Sequence, residues 1–84
     1  MPYAVLLKRS AERELARLPM DMHDRVVASL TRLGDVQRPL GAVKLRGQDA
    51  YRIRVGDYRI LYAVDGRARR VEVFAIGHRR EVYR

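Results

Sequence analysis

The 84-residue chain contains no cysteine, no tryptophan and only two histidines. Without thiols it can form neither a disulfide nor a thiolate metal site. His23 and His78 are too few and too far apart in sequence to suggest zinc, so no metal and no cofactor is expected. No apolar run approaches the roughly 18 residues that span a bilayer. No signal peptide precedes the first strand, which leads us to expect a cytoplasmic protein without a membrane partner. Repeats and low-complexity segments are also missing. Acidic residues are the minority, 10 against 18 basic ones, for a net charge of +8. Residues 1–43 carry seven basic and five acidic side chains, residues 44–84 eleven and five, so +6 of the charge sits in the second half. Such asymmetry points to nucleic acid, an acidic protein partner, or both. The length suits a single domain, residues 1–84, with one modest core.

The apolar residues organise the chain. Tyr3–Leu7 is a short run of strand formers. Ser10 is placed to cap a helix from Ala11, on which Ala11, Leu15 and Leu18 share one face before Pro19 stops it. Asp21 is placed to cap a second helix with a stripe of Val26, Leu30 and Leu33, widened by Val27 and closed by Gly34. After a loop over residues 35–41 come strands near Val43–Arg46, Tyr51–Val55, Tyr58–Val64 and Arg69–Ile76. This order, β-α-α-β-β-β-β, predicts an α+β fold: a twisted antiparallel sheet with an N-terminal helical hairpin packed on one face.

Gly56-Asp57, with glycine first, is the signature of a two-residue type II′ hairpin, and that turn fixes the register. Val55 faces Tyr58, Arg54 faces Arg59, Ile53 faces Ile60 and Arg52 faces Leu61. Alternation then puts Tyr51, Ile53, Val55, Tyr58, Ile60 and Tyr62 on one face, joined by Val71, Val73 and Ala75 across a second turn of two or four residues. The other face receives Arg52, Arg54, Arg59 and Leu61, with Glu72, Phe74 and Ile76. Like charges directly opposite one another destabilise a sheet by up to about 1 kcal/mol. Either Glu72 or solvent neutralises the Arg54/Arg59 pair, or the pair is an anion clamp, for which guanidinium forks are well shaped.

Lys44-Leu-Arg-Gly47, Tyr51-Arg-Ile-Arg54, Gly56-Asp-Tyr-Arg-Ile-Leu-Tyr62 and Arg79-Arg-Glu-Val-Tyr83, following a helical hairpin, form an ordered set. In that set the sequence resembles the RelE/ParE superfamily of bacterial toxins, and its RelE branch most closely. The resemblance covers nearly the whole chain. It implies a type II toxin–antitoxin toxin: a metal-independent endoribonuclease that enters the ribosomal A site and cuts mRNA through attack of the 2′-hydroxyl on the adjacent phosphate. By the same resemblance Arg52 and Arg54 stand at two basic catalytic positions, Arg59 and Arg79 stabilise phosphorane charge, and Tyr83 stacks on or orients the nucleotide.

Two features depart from the family pattern. Arginines replace lysines at positions 52 and 54, and a guanidinium does not act as a base. His78 and Tyr83 are then the candidates for proton acceptor. The tail between Arg79 and Tyr83 is also short, which leaves Arg80 able to fill the arginine role. Lys44, Arg46, Arg80 and Arg84 are candidate RNA or ribosome contacts, whereas Arg9, Arg13 and Arg17 read as the solvated face of the first helix. The implied partners are a small RelB-like antitoxin, the ribosome with its mRNA, and operator DNA only through the antitoxin. Alternatives of other classes are a ParE-like inhibitor of DNA gyrase and an inactive antitoxin-binding module.

Overall fold

The computed structural model describes residues 2–45, 47 and 49–78. Arg46, Arg79, Arg80, Tyr83 and Arg84 therefore lie outside the described residues. The elements are β1 (Ala4–Leu7), α1 (Arg9–Ala16), α2 (Met20–Leu33), β2 (Val43–Lys44), β3 (Ala50–Val55), β4 (Tyr58–Asp65) and β5 (Arg70–His78). The sheet order is β1-β5-β4-β3-β2. Strands β2 to β5 form the expected antiparallel meander, and β1 adds to β5 in parallel, from Ala4 opposite Arg70 to Leu7 opposite Val73. Parallel pairing needs a long connection rather than a hairpin, and here most of the chain separates the two strands. No described helix is long and apolar enough to cross a membrane.

The helix boundaries have causes other than those read from the sequence. The first helix starts at Arg9 with Lys8 as N-cap and no side-chain cap, so Ser10 lies inside it. Pro19, expected to stop α1, is instead the N-cap of α2, and its fixed φ suits a helix start. Asp21 consequently sits in the first turn of α2, where a carboxylate complements the helix dipole. Gly34 does close α2, but with φ −64 rather than in the left-handed region. Its role is close approach. A Cβ there would meet the Tyr3 carbonyl at 3.0 Å and the Thr31 carbonyl at 3.2 Å, and the Gly34 carbonyl accepts the Tyr3 N–H at 2.7 Å.

The core lies between the helices and one sheet face. Val26 and Leu33 of α2 and Ala11 of α1 pack with Ile53, Ile60, Tyr62, Val71, Val73 and Ile76, most of them fully buried. Each large aliphatic side chain so buried contributes about 1.5–3 kcal/mol. Tyrosines anchor the 35–42 loop to this core. The Tyr62 hydroxyl donates to the Gln37 carbonyl at 2.8 Å, Arg38 Nε donates to the Tyr51 hydroxyl at 2.9 Å, and the two rings stack at 5.8 Å.

One element breaks the sheet's alternation. Leu61 pairs with Ala75, but the next residue of β4, Tyr62, pairs with Val73, so Phe74 is an extra residue in β5. This β-bulge reverses the parity of everything after it. Ile76, expected on the arginine face, pairs with Ile60 in the core and is fully buried. Ala75, expected in the core, pairs with Leu61 on the opposite face.

Candidate functional site

The Gly56-Asp57 turn positions the candidate site. Gly56 has φ +59 and Asp57 has no positive φ, the combination of a type II′ turn. The register is the expected one, with Arg54 opposite Arg59 and Arg52 opposite Leu61. Val55/Tyr58 closes the turn, so Arg54/Arg59 is the next, close-spaced kind of antiparallel pair, whose Cα atoms lie about 4.5 Å apart. Arg54 is exposed, and Arg52 and Arg59 are half-buried. The Nε of Arg59 is buried. Opposite Arg59 on β5 stands Gly77, which puts no side chain in the way. On the same face Leu61 is 8% exposed and Ala75 is half-buried, so the cations border apolar surface. Less water around a charge strengthens its hold on an anion.

The bulge separates His78 from this group. His78 pairs with Tyr58, not with Arg59. Its ring meets the Tyr58 ring edge to face at 5.7 Å. Both line a cavity of about 180 Å³ with Glu14, Arg17 and Leu18 at the end of α1. The candidate base thus sits on the helix side of the sheet, and Arg54 and Arg59 on the other. Uninterrupted alternation would have put it beside Arg59, and a one-residue bulge leaves no trace in a hydrophobic pattern this short. Lys44 is exposed on β2, opposite Tyr51.

Cations from α2 also gather near this end of the sheet, and the sequence reading missed them. A Cβ on Gly56 would come 2.9 Å from the Met22 methyl and 3.4 Å from Arg25 Nη1, so the Arg25 guanidinium rests against the hairpin turn. Ser29, Arg32, Pro39, Leu40, Ile53 and Arg54 border a groove of about 250 Å³. Arg25, Ser29 and Arg32 stand at i, i+4 and i+7, so the signal was present as a polar stripe beside the apolar one. Among the described residues strand β2 pairs with β3 at Arg52 and Tyr51, and the Leu45 N–H donates to the Ala50 carbonyl at 2.8 Å. Among the described residues no strand pairs with the outer edge of β3 from Ile53 to Val55, Ile53 and Arg54 line this groove, and fully exposed Leu40 and half-exposed Val43 lie nearby.

Comparison with known proteins agrees with the fold and the residue pattern. Residues 5–83 match the family described as the ParE toxin of the type II toxin–antitoxin system parDE. The chain is 36% identical over 90 residues to Toxin RelG of Mycobacterium tuberculosis, covering 100% of this chain and 99% of that one. Its structure superimposes with a TM-score of 0.79, at 30% identity, on a chain of the M. tuberculosis toxin–antitoxin complex RelBE2, covering 94% of this chain and 100% of that one. The isolated RelE toxin of E. coli gives a TM-score of 0.81 at 28% identity, over 96% of this chain and 90% of the other. The chain belongs to the ParE toxin family, and is a type II toxin–antitoxin toxin of the RelE/ParE superfamily.

Proposed function

We propose that this toxin is a ribosome-dependent endoribonuclease that cuts mRNA in the A site and so stops translation. The observation that carries the reading is the direct pairing of Arg54 with Arg59, beside Arg52, on the sheet face turned away from the helices. A cationic pair costs stability unless an anion occupies it. In the proposed reaction the RNA 2′-hydroxyl loses its proton and attacks the adjacent phosphate. The bond to the 5′-oxygen of the next nucleotide breaks, that oxygen takes a proton from water to leave as a 5′-hydroxyl, and a 2′,3′-cyclic phosphate remains. Charge develops on the non-bridging oxygens, and Arg59 with Arg79 stabilises it, while Arg52 and Arg54 hold the flanking phosphates. Tyr83 orients the nucleotide by stacking. Guanidinium groups do not accept the proton, and His78 is not used for it. Tyr83 is the acceptor in this reading. No metal takes part.

In the same reading a small acidic antitoxin silences the protein. The groove flanked by Arg25, Arg32 and Arg54, with Leu40 and the outer β3 edge beside it, fits a segment that is both acidic and apolar. The related structures above include a toxin–antitoxin complex.

Induction in cells separates the leading reading from its alternatives. Translation arrest with fragmented mRNA is expected. A block in replication with a DNA-damage response would instead mark a gyrase inhibitor, and no arrest at all an inactive binding module. Native mass spectrometry of the protein co-expressed with its adjacent reading frame checks the partner, with a stable complex as the expected outcome.

A further inference from the structure

The cavity of about 180 Å³ between the end of α1 and the end of β5 belongs to no function assigned above. Its walls are chemically unlike the rest of the surface. Tyr58 and His78 supply two aromatic rings set edge to face. Glu14 points one carboxylate oxygen at the Ile76 N–H, at 3.0 Å, where β5 has run past the end of β1 and that N–H has no strand partner. A carboxylate has lone pairs on both oxygens, so the other one can accept a further hydrogen bond. Arg17 brings a guanidinium, and neither it nor Glu14 is in an ion pair with another described residue. A carboxylate and a guanidinium lining one cavity with aromatic rings suit a planar ligand with donors and acceptors side by side on its rim.

We infer that this cavity is a nucleobase subsite, taking a guanine one step along the strand from the cleaved bond. Guanine offers O6 and N7 to the arginine fork. It also offers its N1–H and amino group to the carboxylate, and its π-face to Tyr58 or His78. Uracil lacks both the N7 acceptor and the amino group. The location fits a continuous strand. Arg59 pairs with Gly77 on one face, and the adjacent residues Tyr58 and His78 pair toward the other. Beyond Val73 no strand among the described residues pairs with the outer edge of β5. RNA turning round that edge passes from the arginines to the cavity. The inference rests on the nuclease reading for the direction of the strand, and on the cavity alone for base binding.

Glu14→Gln is the informative variant. Its carbonyl can still accept the Ile76 N–H, while the other position changes from acceptor to donor. The probes are 5′-GMP, AMP, CMP and UMP, titrated into the toxin and followed by the amide resonances of Ile76, Gly77 and His78. GMP is expected to move these signals and to bind about ten-fold or more tightly than UMP, as one good bidentate contact provides. In Glu14→Gln and in Arg17→Ala that preference should fall to near unity, with the thermal midpoint unchanged for Arg17→Ala. Shifts confined to Arg54 and Arg59, or a GMP preference that survives both substitutions, overturn the subsite. On programmed ribosomes the same variants should lose base preference beside the cut while retaining cleavage. A wild-type protein that cuts nothing there removes the nuclease reading, while the titration still decides the cavity.

Discussion

At the scale of single residues, Arg59 separates charge from structure most clearly. Its neighbour Arg54 lies directly opposite, and its Nε is buried. Removing one charged donor from a preformed site costs roughly 10²–10³ in rate. Arg59→Ala should lose that much cleavage and keep its fold, as read by circular dichroism. Arg54→Lys asks whether position 54 supplies a fork or only a charge. Lost activity means the fork; retained or raised activity means charge alone suffices. Tyr62 is the residue whose chemistry is most altered by folding. Burial, and secondarily Tyr51, pushes its hydroxyl up to about 12, with Arg38 pulling the other way. The raised value means that folded Tyr62 holds its proton while the unfolded chain begins to lose its own near 10. Its contribution to stability is therefore full below about pH 10 and is lost progressively between pH 10 and 12. Tyr62→Phe should cost about 0.5–1.5 kcal/mol at neutral pH through the lost bond to Gln37, and should flatten that alkaline loss in urea titrations.

Among the elements, the bulge in β5 decides the most. It sends Ile76 into the core and turns His78 toward α1. Deleting Phe74 would remove the extra residue while leaving Ala75 opposite Leu61 and Ile76 opposite Ile60, so the core pairing should survive and only the local bend and added twist of the bulge should be lost. A urea midpoint equal to wild type would show that the bulge is not needed. Gly34→Ala tests the other close approach. Alanine normally improves a helix end, yet here its Cβ presses on two backbone carbonyls at 3.0 and 3.2 Å, so destabilisation of about 1–3 kcal/mol is expected. These two places also mark where the sequence was legible. The Gly56-Asp57 turn fixed the β3–β4 register, because a two-residue turn allows one pairing only. The apolar stripe of α2 and the meander were equally plain. The bulge was invisible because Phe74, Ala75 and Ile76 are all apolar and either parity leaves an acceptable pattern. The parallel pairing of β1 with β5 was missed because no local turn encodes it. Arg25 and Arg32 did not stand out because a polar stripe on an amphipathic helix is ordinarily its solvated face, and only the packing of α2 beside the β3–β4 turn gives these two a common place.

For the whole molecule, charge and fold act together. Arg25, Arg32, Arg54 and Arg59 stand where the β3–β4 turn, the outer edge of β3 and the flank of α2 converge, and an RNA strand or an acidic chain would each find the same end of the protein. Binding to single-stranded RNA should weaken with salt. Neutralising three phosphates at Arg52, Arg54 and Arg59 predicts a slope of about −2 in log affinity against log salt, reduced by about 0.7 for each arginine removed. An antitoxin that covers this end should abolish RNA binding and cleavage together. The most direct measurement is cleavage of a defined mRNA on programmed ribosomes, with wild type beside Arg59→Ala and the ends of the products identified. The expected result is cutting in the A site by wild type, products ending in a 2′,3′-cyclic phosphate, and a loss of 10²–10³ in rate for Arg59→Ala. A folded Arg59→Ala protein that cuts as fast as wild type, or a wild type that leaves mRNA intact on the ribosome, would contradict the assigned site.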